Sequence, residues 1–141
     1  MAARRIRLNV DGVEAIAELQ ENLSPKATAA FWEALPIEKT LVAAKWSGRA
    51  CFIHPGEGPL RAIESLENPV TSIYPGTIVM RPRGSEVLIS YGESEYRWAV
   101  GTDYVTRIAK VVENRTAFLD MLARTHDEGD KQITITRDSA G

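Results

Sequence analysis

The feature that most constrains this chain is a complete β-hairpin over residues 72–92, with a turn signal at each end. Residues 77–81 and 86–91 are mostly β-branched, aliphatic or aromatic, and Pro82 and Gly84 lie in the four-residue loop between them. Both strands are apolar at most positions rather than alternating, which is typical of strands covered on both faces. The hairpin therefore predicts further layers of structure on either side of it.

An earlier hairpin is predicted near the start of the chain. Residues 5–9 alternate between charged or polar and apolar side chains, which predicts a first strand. Asp11 and Gly12 form a strong two-residue turn, and residues 13–19 form the second strand of the hairpin. Four further strands are predicted, over residues 40–46, 49–54, 104–112 and 132–136.

Two helices are expected, far apart in the chain. Ser24 is a candidate N-cap, Pro25 suits the first helical position, and Pro36 ends the helix. Asn114 is the candidate cap of the second helix, which Gly129 closes. With about eight strands and no alternation of strand and helix, the pattern favours a mainly β chain: one domain over residues 1–141, built as a closed, mostly antiparallel barrel whose open ends the helices cover.

Charge and composition exclude several functions. The 17 basic and 19 acidic residues are nearly balanced and form no long run, so nucleic-acid binding is not indicated. The single Cys51 lies in an apolar run, which favours a buried thiol and a reducing compartment. The chain start, although basic, lacks the apolar segment of a signal peptide or membrane span. We expect a soluble, cytoplasmic protein that does not bind membranes.

Several short motifs of the sequence resemble those of a known family. The segment 74–80 is similar to the Pro-Gly-x-x-x-Met strand of the cyclophilin-like barrel. Short motifs in the same order and at similar spacing resemble small uncharacterised cyclophilin-like proteins of bacteria and archaea. These motifs are Trp46-Ser47-Gly48, Glu67-Asn68, Pro75-Gly76 and Tyr91-Gly92.

The resemblance covers residues 5–137 and implies an eight-stranded barrel with two helices. True prolyl isomerases of this fold use an arginine, a glutamine, aromatic residues and a histidine around a proline pocket. The glutamines here, Gln20 and Gln132, both lie far from the central hairpin in the sequence. Prolyl isomerase activity is therefore the least favoured function, and related barrels that act on ureido and cyclic amide compounds make small-molecule chemistry the more natural expectation.

Glu67 is the candidate catalytic carboxylate. A carboxylate near aromatic residues at a barrel mouth can have a raised pKa and serve as a general acid or base. The alternative is that Glu67 pins a loop by accepting hydrogen bonds from backbone N–H groups. The sequence leaves both open.

The other candidate site residues are aromatic or cationic. Trp46 forms a pocket wall or plugs the barrel, and Tyr74 and Tyr91 either contact a ligand or pack ordinarily. Arg49 and Arg81 are charges in apolar strands, so each pairs with a carboxylate such as Glu86 or faces a ligand anion. Tyr96 and Trp98 lie in a segment, 93–103, that is predicted to be a loop or lid.

The sequence lacks the common motifs for metal binding, phosphate binding and nucleophilic catalysis. No His/Cys cluster has metal-ligand spacing, and there is no phosphate loop or nucleophile elbow, so no metal and no cofactor are indicated. The leading hypothesis is a small-molecule enzyme, or enzyme subunit, with a pocket at a barrel mouth and acid–base chemistry on a small carboxylate or amide. The alternative is a non-catalytic module that binds a ligand or peptide. Self-association and a partner subunit are left open.

Overall fold

Eight strands of this chain close into one antiparallel barrel. The computed structural model describes residues 3–138, and the ends of the predicted domain beyond them lie outside the described residues. The strands are β1 (Arg5–Val10), β2 (Val13–Leu19), β3 (Ile37–Ala43), β4 (Gly48–Ile53), β5 (Ser72–Ile73), β6 (Thr77–Met80), β7 (Val87–Glu95), β8 (Arg97–Trp98), β9 (Gly101–Thr102), β10 (Thr106–Glu113) and β11 (Lys131–Arg137). The helices are α1 (Pro25–Ala34), α2 (Arg115–Ala123) and the single turn α3 (Thr125–Glu128).

The barrel closes by pairing strands that are far apart in sequence. Its strand order is β4-β3-β11-β1-β2-β10-β6-β7, and β7 pairs with β4 to complete the ring. All of these pairs are antiparallel. The short β5 extends the sheet beside β7, and β8 and β9 form a separate two-stranded hairpin. The predicted mainly β, closed antiparallel barrel with two principal helices is confirmed.

Both predicted hairpins are present, and the central one is covered on both faces. Asp11 and Gly12 turn between β1 and β2 with positive φ angles of 50° and 85°, which a two-residue hairpin turn requires. In the central hairpin, Ile78 packs in the interior of the barrel, whereas its neighbour Val79 packs in a second apolar cluster on the outside. Two-sided burial explains why β6 and β7 do not alternate in polarity.

The interior core is sealed by the helices. Phe31 of α1 and Phe118 of α2 are fully buried in the same cluster as the inward-facing residues of the barrel strands. The outer cluster is smaller and lies over β4, β6 and β7. It contains Ala44, Ala50, Ile73, Val79, Leu88, Tyr96 and Val105, with Phe52, Val70 and Trp98 packed against it.

Two strands, β3 and β7, differ most from their predicted bounds. β3 begins directly after Pro36 and ends at Ala43, three residues before the predicted end, because the chain turns toward β4 over residues 44–47. β7 continues to Glu95, so residues 93–95 are strand rather than loop. The extension is possible because Gly48, with φ 103°, pairs with Ser94: a β-carbon there would lie 2.8 Å from the carbonyl oxygen of Glu93.

Among residues 3–138, no helix is long and apolar enough to cross a lipid bilayer.

Candidate functional site

A groove with aromatic walls lies on the outer face of the barrel, over the outer apolar cluster. Its volume is about 330 Å³, and its floor is formed by side chains of β3, β4 and β7 such as Val42, Phe52 and Leu88. Trp46 and Trp98 line it, and we call it the aromatic groove. Its remaining lining residues are Ala43, Ala44, Lys45, Ser47, Glu86, Tyr96 and Arg97.

The two indoles of the aromatic groove differ in how they are held. Trp46 lies in the β3–β4 turn and is 64% exposed, an unusual degree for a tryptophan. Trp98 is half-buried and its indole N–H donates a hydrogen bond of 2.9 Å to the Asp103 carboxylate. One wall of the groove is therefore fixed and the other is open to solvent.

Arg81 packs behind the fixed wall. Its guanidinium lies 4.6 Å from the Trp98 ring centre and 5.6 Å from the Tyr96 ring centre, and its Nη2 is 3.4 Å from the Asp103 carboxylate. The Trp98 indole, the Tyr104 amide and the Arg81 charge together lower the pKa of Asp103. This cation–π and ion-pair cluster orients Trp98.

A carboxylate and a buried phenol meet at the groove. The Tyr96 hydroxyl donates a hydrogen bond to the Glu86 carboxylate, and Tyr96 is only 1% exposed. Burial, and then the hydrogen bond to Glu86, raise the pKa of Tyr96, so the phenol stays protonated and remains a donor. Within residues 3–138, no lysine, arginine or histidine forms an ion pair with Glu86. The second oxygen of this carboxylate is thus available to a ligand.

A second and larger cavity lies between the β3–β4 turn and the α2–α3 segment. Its volume is about 1000 Å³, and we call it the mouth cleft. Lys45, Arg49 and Tyr91 lie on its strand side, and acidic residues of the helical segment lie on its other side. The Tyr91 ring packs against the interior core, and this burial raises the pKa of its hydroxyl.

Glu67 lies in neither cavity. Its carboxylate accepts hydrogen bonds from the backbone amides of Ala27 at 2.8 Å and Lys26 at 3.2 Å, in the first turn of α1. The predicted cap, Ser24, makes no capping bond, and its buried hydroxyl has no protein partner. A carboxylate at a helix N-terminus meets unpaired N–H groups and the positive end of the helix dipole, so this geometry favours the pinning alternative. A catalytic role for Glu67 stays a prediction.

The six predicted site residues are therefore not brought together in one place. Trp46 lines the aromatic groove and Arg81 supports it, whereas Arg49 and Tyr91 line the mouth cleft. Tyr74 is 71% exposed and lines neither cavity.

The sequence-based hypothesis assigned no binding role to Glu86, although its polarity in an apolar strand was a usable signal. The suggested pairing of Arg81 with Glu86 is not what the structure shows: Arg81 pairs with Asp103, which lies 22 residues further along the chain. In the part of the chain that the structure describes, no group of three His, Cys, Asp or Glu side chains could hold a metal ion.

Comparisons with solved structures show the same fold at low sequence identity. McbB in complex with tryptophan superposes with a TM-score of 0.70 and 14% identity over 95% of this chain, which spans only 45% of McbB. The hypothetical protein AF2241 of Archaeoglobus fulgidus has a TM-score of 0.63 and 18% identity over 97% of this chain and 96% of its own. A cyclophilin-type peptidyl-prolyl isomerase of Cryptosporidium parvum has a TM-score of 0.59 and 15% identity over 97% and 98% of the two chains.

These neighbours confirm the cyclophilin-like fold and no more, because all of the identities are below 20%. No curated protein matches the sequence. One family model does match, over residues 6–137, and it is described as a protein of unknown function, DUF3830. This chain belongs to the DUF3830 family of proteins of unknown function.

Proposed function

We propose that this chain binds a small molecule in the aromatic groove, with a flat apolar body against Trp46 and Trp98 and an N–H donor directed at Glu86. One observation carries the proposal: the exposed Trp46 indole and the Glu86 carboxylate, which forms no ion pair within residues 3–138, both line a groove with an apolar floor. Ligand sites typically combine an apolar lining with a few polar groups that fix orientation. The aromatic groove has this composition.

The energetics fit a ligand of modest affinity. Covering most of the exposed Trp46 surface removes on the order of 100 Å² of apolar area from water, a gain of about 2–3 kcal/mol. A hydrogen bond to the charged Glu86 adds about 1.5–3 kcal/mol. Because association itself costs several kcal/mol, these two contacts leave only weak net binding, and we expect dissociation constants in the millimolar range or weaker.

The complex of McbB with tryptophan supports an indole compound as the first probe. Tryptophan has a flat ring for the two groove indoles and an ammonium group for Glu86. Lys45, at the edge of the groove, provides a counter-charge for a carboxylate such as the one that tryptophan carries. The support is limited to the choice of ligand class, since the shared identity is 14%.

Acid–base chemistry on the bound molecule is the enzymatic form of the proposal. The Glu86 carboxylate is the group in the groove that can accept a proton, and the buried Tyr96 phenol holds one of its oxygens. This assigns to Glu86 the role that the sequence suggested for Glu67. The non-catalytic alternative uses the same contacts but transfers no proton.

Calorimetric titration with three indole compounds tests the binding. Tryptamine carries only the ammonium group, indole-3-acetate only the carboxylate, and L-tryptophan both. We expect tryptamine and tryptophan to bind more tightly than indole-3-acetate, and Glu86→Gln to weaken both by about tenfold or more. Glu93→Gln is the matched control, because Glu93 is an exposed carboxylate of β7, the strand that begins directly after Glu86, and lies outside both cavities.

The outcomes separate the alternatives. Equal affinity for all three compounds, or equal loss in Glu86→Gln and Glu93→Gln, would contradict Glu86 as the polar anchor. Mass spectrometry of the incubated ligand then distinguishes the two forms: conversion that disappears in Glu86→Gln supports an enzyme, and an unchanged ligand supports a binding module. An Ala-Pro dipeptide belongs in the same titration, because the Cryptosporidium parvum protein has also been solved in its presence.

A further inference from the structure

The mouth cleft separates charges of opposite sign on its two sides. Lys45 and Arg49 lie on the strand side, and Asp120, Asp127 and Asp130 lie on the helical side. Among residues 3–138, no ion pair within 4.0 Å joins the two sides. Within the described part of the chain, the hydrogen-bond partner of the Asp127 carboxylate is the ring of its neighbour His126, at 3.1 Å. Opposite charges that line one cavity without an ion pair across it leave room for a molecule between them.

The strand side holds its guanidinium in a defined place. A β-carbon at Gly92 would lie 2.6 Å from Cδ and 2.9 Å from Cβ of Arg49, so the stem of this arginine lies directly on the Gly92 backbone. The adjacent Tyr91 packs its ring in the core, and its hydroxyl makes no hydrogen bond to any residue in the described range. Arg49, Tyr91 and Lys45 therefore offer hydrogen-bond donors on one side of the mouth cleft.

We propose that the mouth cleft binds an extended zwitterion: a molecule with a carboxylate at one end and an ammonium group at the other. The carboxylate lies against Arg49 and Lys45, and the ammonium group lies against Asp127 and Asp130. A short peptide with free ends is the simplest molecule of this class. The volume of about 1000 Å³ is at the upper end of the usual range for small-ligand sites, so it admits more than a single amino acid.

Electrostatics explain why both charges are needed. A simple anion is attracted to the cationic side of the cleft and repelled by the three aspartates, and a simple amine meets the reverse. A molecule with both charges at the right separation is attracted at each end. The mouth cleft should thus discriminate by the spacing of charges rather than by net charge.

The test is a titration of ¹⁵N-labelled protein with trialanine, N-acetyl-trialanine and trialanine amide, followed by NMR. The capped peptides each lack one terminal charge but keep the same body. We expect trialanine to shift the amide resonances of Gly48 and Gly129, which line the cleft, and each capped peptide to bind about tenfold more weakly or worse. Dialanine and tetraalanine then measure the charge spacing, since each residue adds at most about 3.6 Å.

Variants assign the two ends of the peptide. Arg49→Met should weaken the binding of trialanine and of N-acetyl-trialanine. It should have little effect on the binding of trialanine amide, which has no carboxylate. The double variant Asp127→Asn, Asp130→Asn should weaken the binding of trialanine and of its amide. It should have little effect on N-acetyl-trialanine, which has no ammonium group. Arg61→Met is the control for loss of an exposed arginine outside the cleft. Val42, Ala43, Ala44 and Lys45 line both cavities, whereas Glu86 lines only the aromatic groove. Glu86→Gln should therefore leave trialanine binding unchanged.

Three results would overturn the proposal. The first is equal binding of free and capped peptides, and the second is equal loss in Arg49→Met and Arg61→Met. The third is a set of shifts confined to the indole resonances of Trp46 and Trp98, which would place the peptide in the aromatic groove instead.

Discussion

The Tyr96 hydroxyl donates a hydrogen bond to the Glu86 carboxylate at the edge of the aromatic groove. The two residues lie on either side of the β7 strand segment, and the phenol is buried while the carboxylate is partly exposed. One oxygen of Glu86 is thus held by a buried phenol, and the residue lines the aromatic groove. The relationship yields a prediction about alkaline pH.

Stability should fall more steeply above pH 10 in the wild type than in Tyr96→Phe. The folded state raises the pKa of Tyr96 above its ordinary value of 10, because burial and the Glu86 hydrogen bond both favour the neutral phenol. A raised pKa gives stability that is fully present below pH 10 and is lost as the pH rises through the folded-state value. Urea unfolding between pH 8 and 11 measures the difference. Parallel curves for the two proteins would contradict it.

Glu67→Ala should destabilise the protein and leave ligand binding in the aromatic groove unchanged. The substitution removes the acceptor for two backbone amides at the start of α1, and loss of an N-cap typically costs about 1 kcal/mol. Urea unfolding at pH 7 measures the cost, with Glu93→Ala as the exposed control. If Glu67→Ala abolished ligand binding or turnover at unchanged stability, the catalytic assignment from the sequence would be restored.

Arg81→Met should weaken the binding of tryptamine and of indole-3-acetate by similar factors. Arg81 supports Trp98 from behind through a cation–π contact, which contributes about 0.5–2 kcal/mol, and the methionine keeps the apolar stem. A supporting residue affects every groove ligand alike. A much larger loss for indole-3-acetate than for tryptamine would instead show that Arg81 contacts a ligand carboxylate, as the sequence suggested. Titration calorimetry with both compounds distinguishes the two results.

Gly92→Ala should weaken trialanine binding without affecting the aromatic groove. The new methyl group would meet the stem of Arg49 at 2.6–2.9 Å, so the arginine must leave the Gly92 surface and its guanidinium must move. The φ angle at Gly92 is not positive, but Cβ of Arg49 moves only together with the β4 backbone, so we also expect a loss of stability of about 1–3 kcal/mol. The NMR titration with trialanine measures the effect, and unchanged affinity would show that the position of Arg49 does not matter.

The parts of this fold that depend on local pattern could be predicted from the sequence. The Asp11-Gly12 turn specified the first hairpin, and Pro25 and Pro36 bounded α1 closely. The apolar character of the central hairpin indicated cover on both faces, which the inner and outer clusters provide. Each of these features is determined by residues that are adjacent or nearly so.

The partners of individual charges could not be predicted, because they depend on long-range closure of the barrel. Glu67 was a candidate acid only while its neighbours were unknown; the amides that it caps are 40 and 41 residues earlier. Arg81 finds Asp103 through the β8–β9 hairpin rather than Glu86 across the hairpin turn. Trp46 lines a groove on the outside of the barrel rather than at its mouth, and a role for it in ligand binding stays a prediction.

The most direct test of the central claim uses the three indole N–H resonances as reporters. Trp46 and Trp98 line the aromatic groove, whereas Trp32 belongs to α1 and serves as an internal control. During titration with tryptamine, we predict that the Trp46 and Trp98 resonances shift in the wild type, that the Trp32 resonance stays in place, and that Glu86→Gln requires much higher concentrations. Shifts confined to Trp32, or no shift of any indole at millimolar tryptamine, would contradict the groove as the binding site.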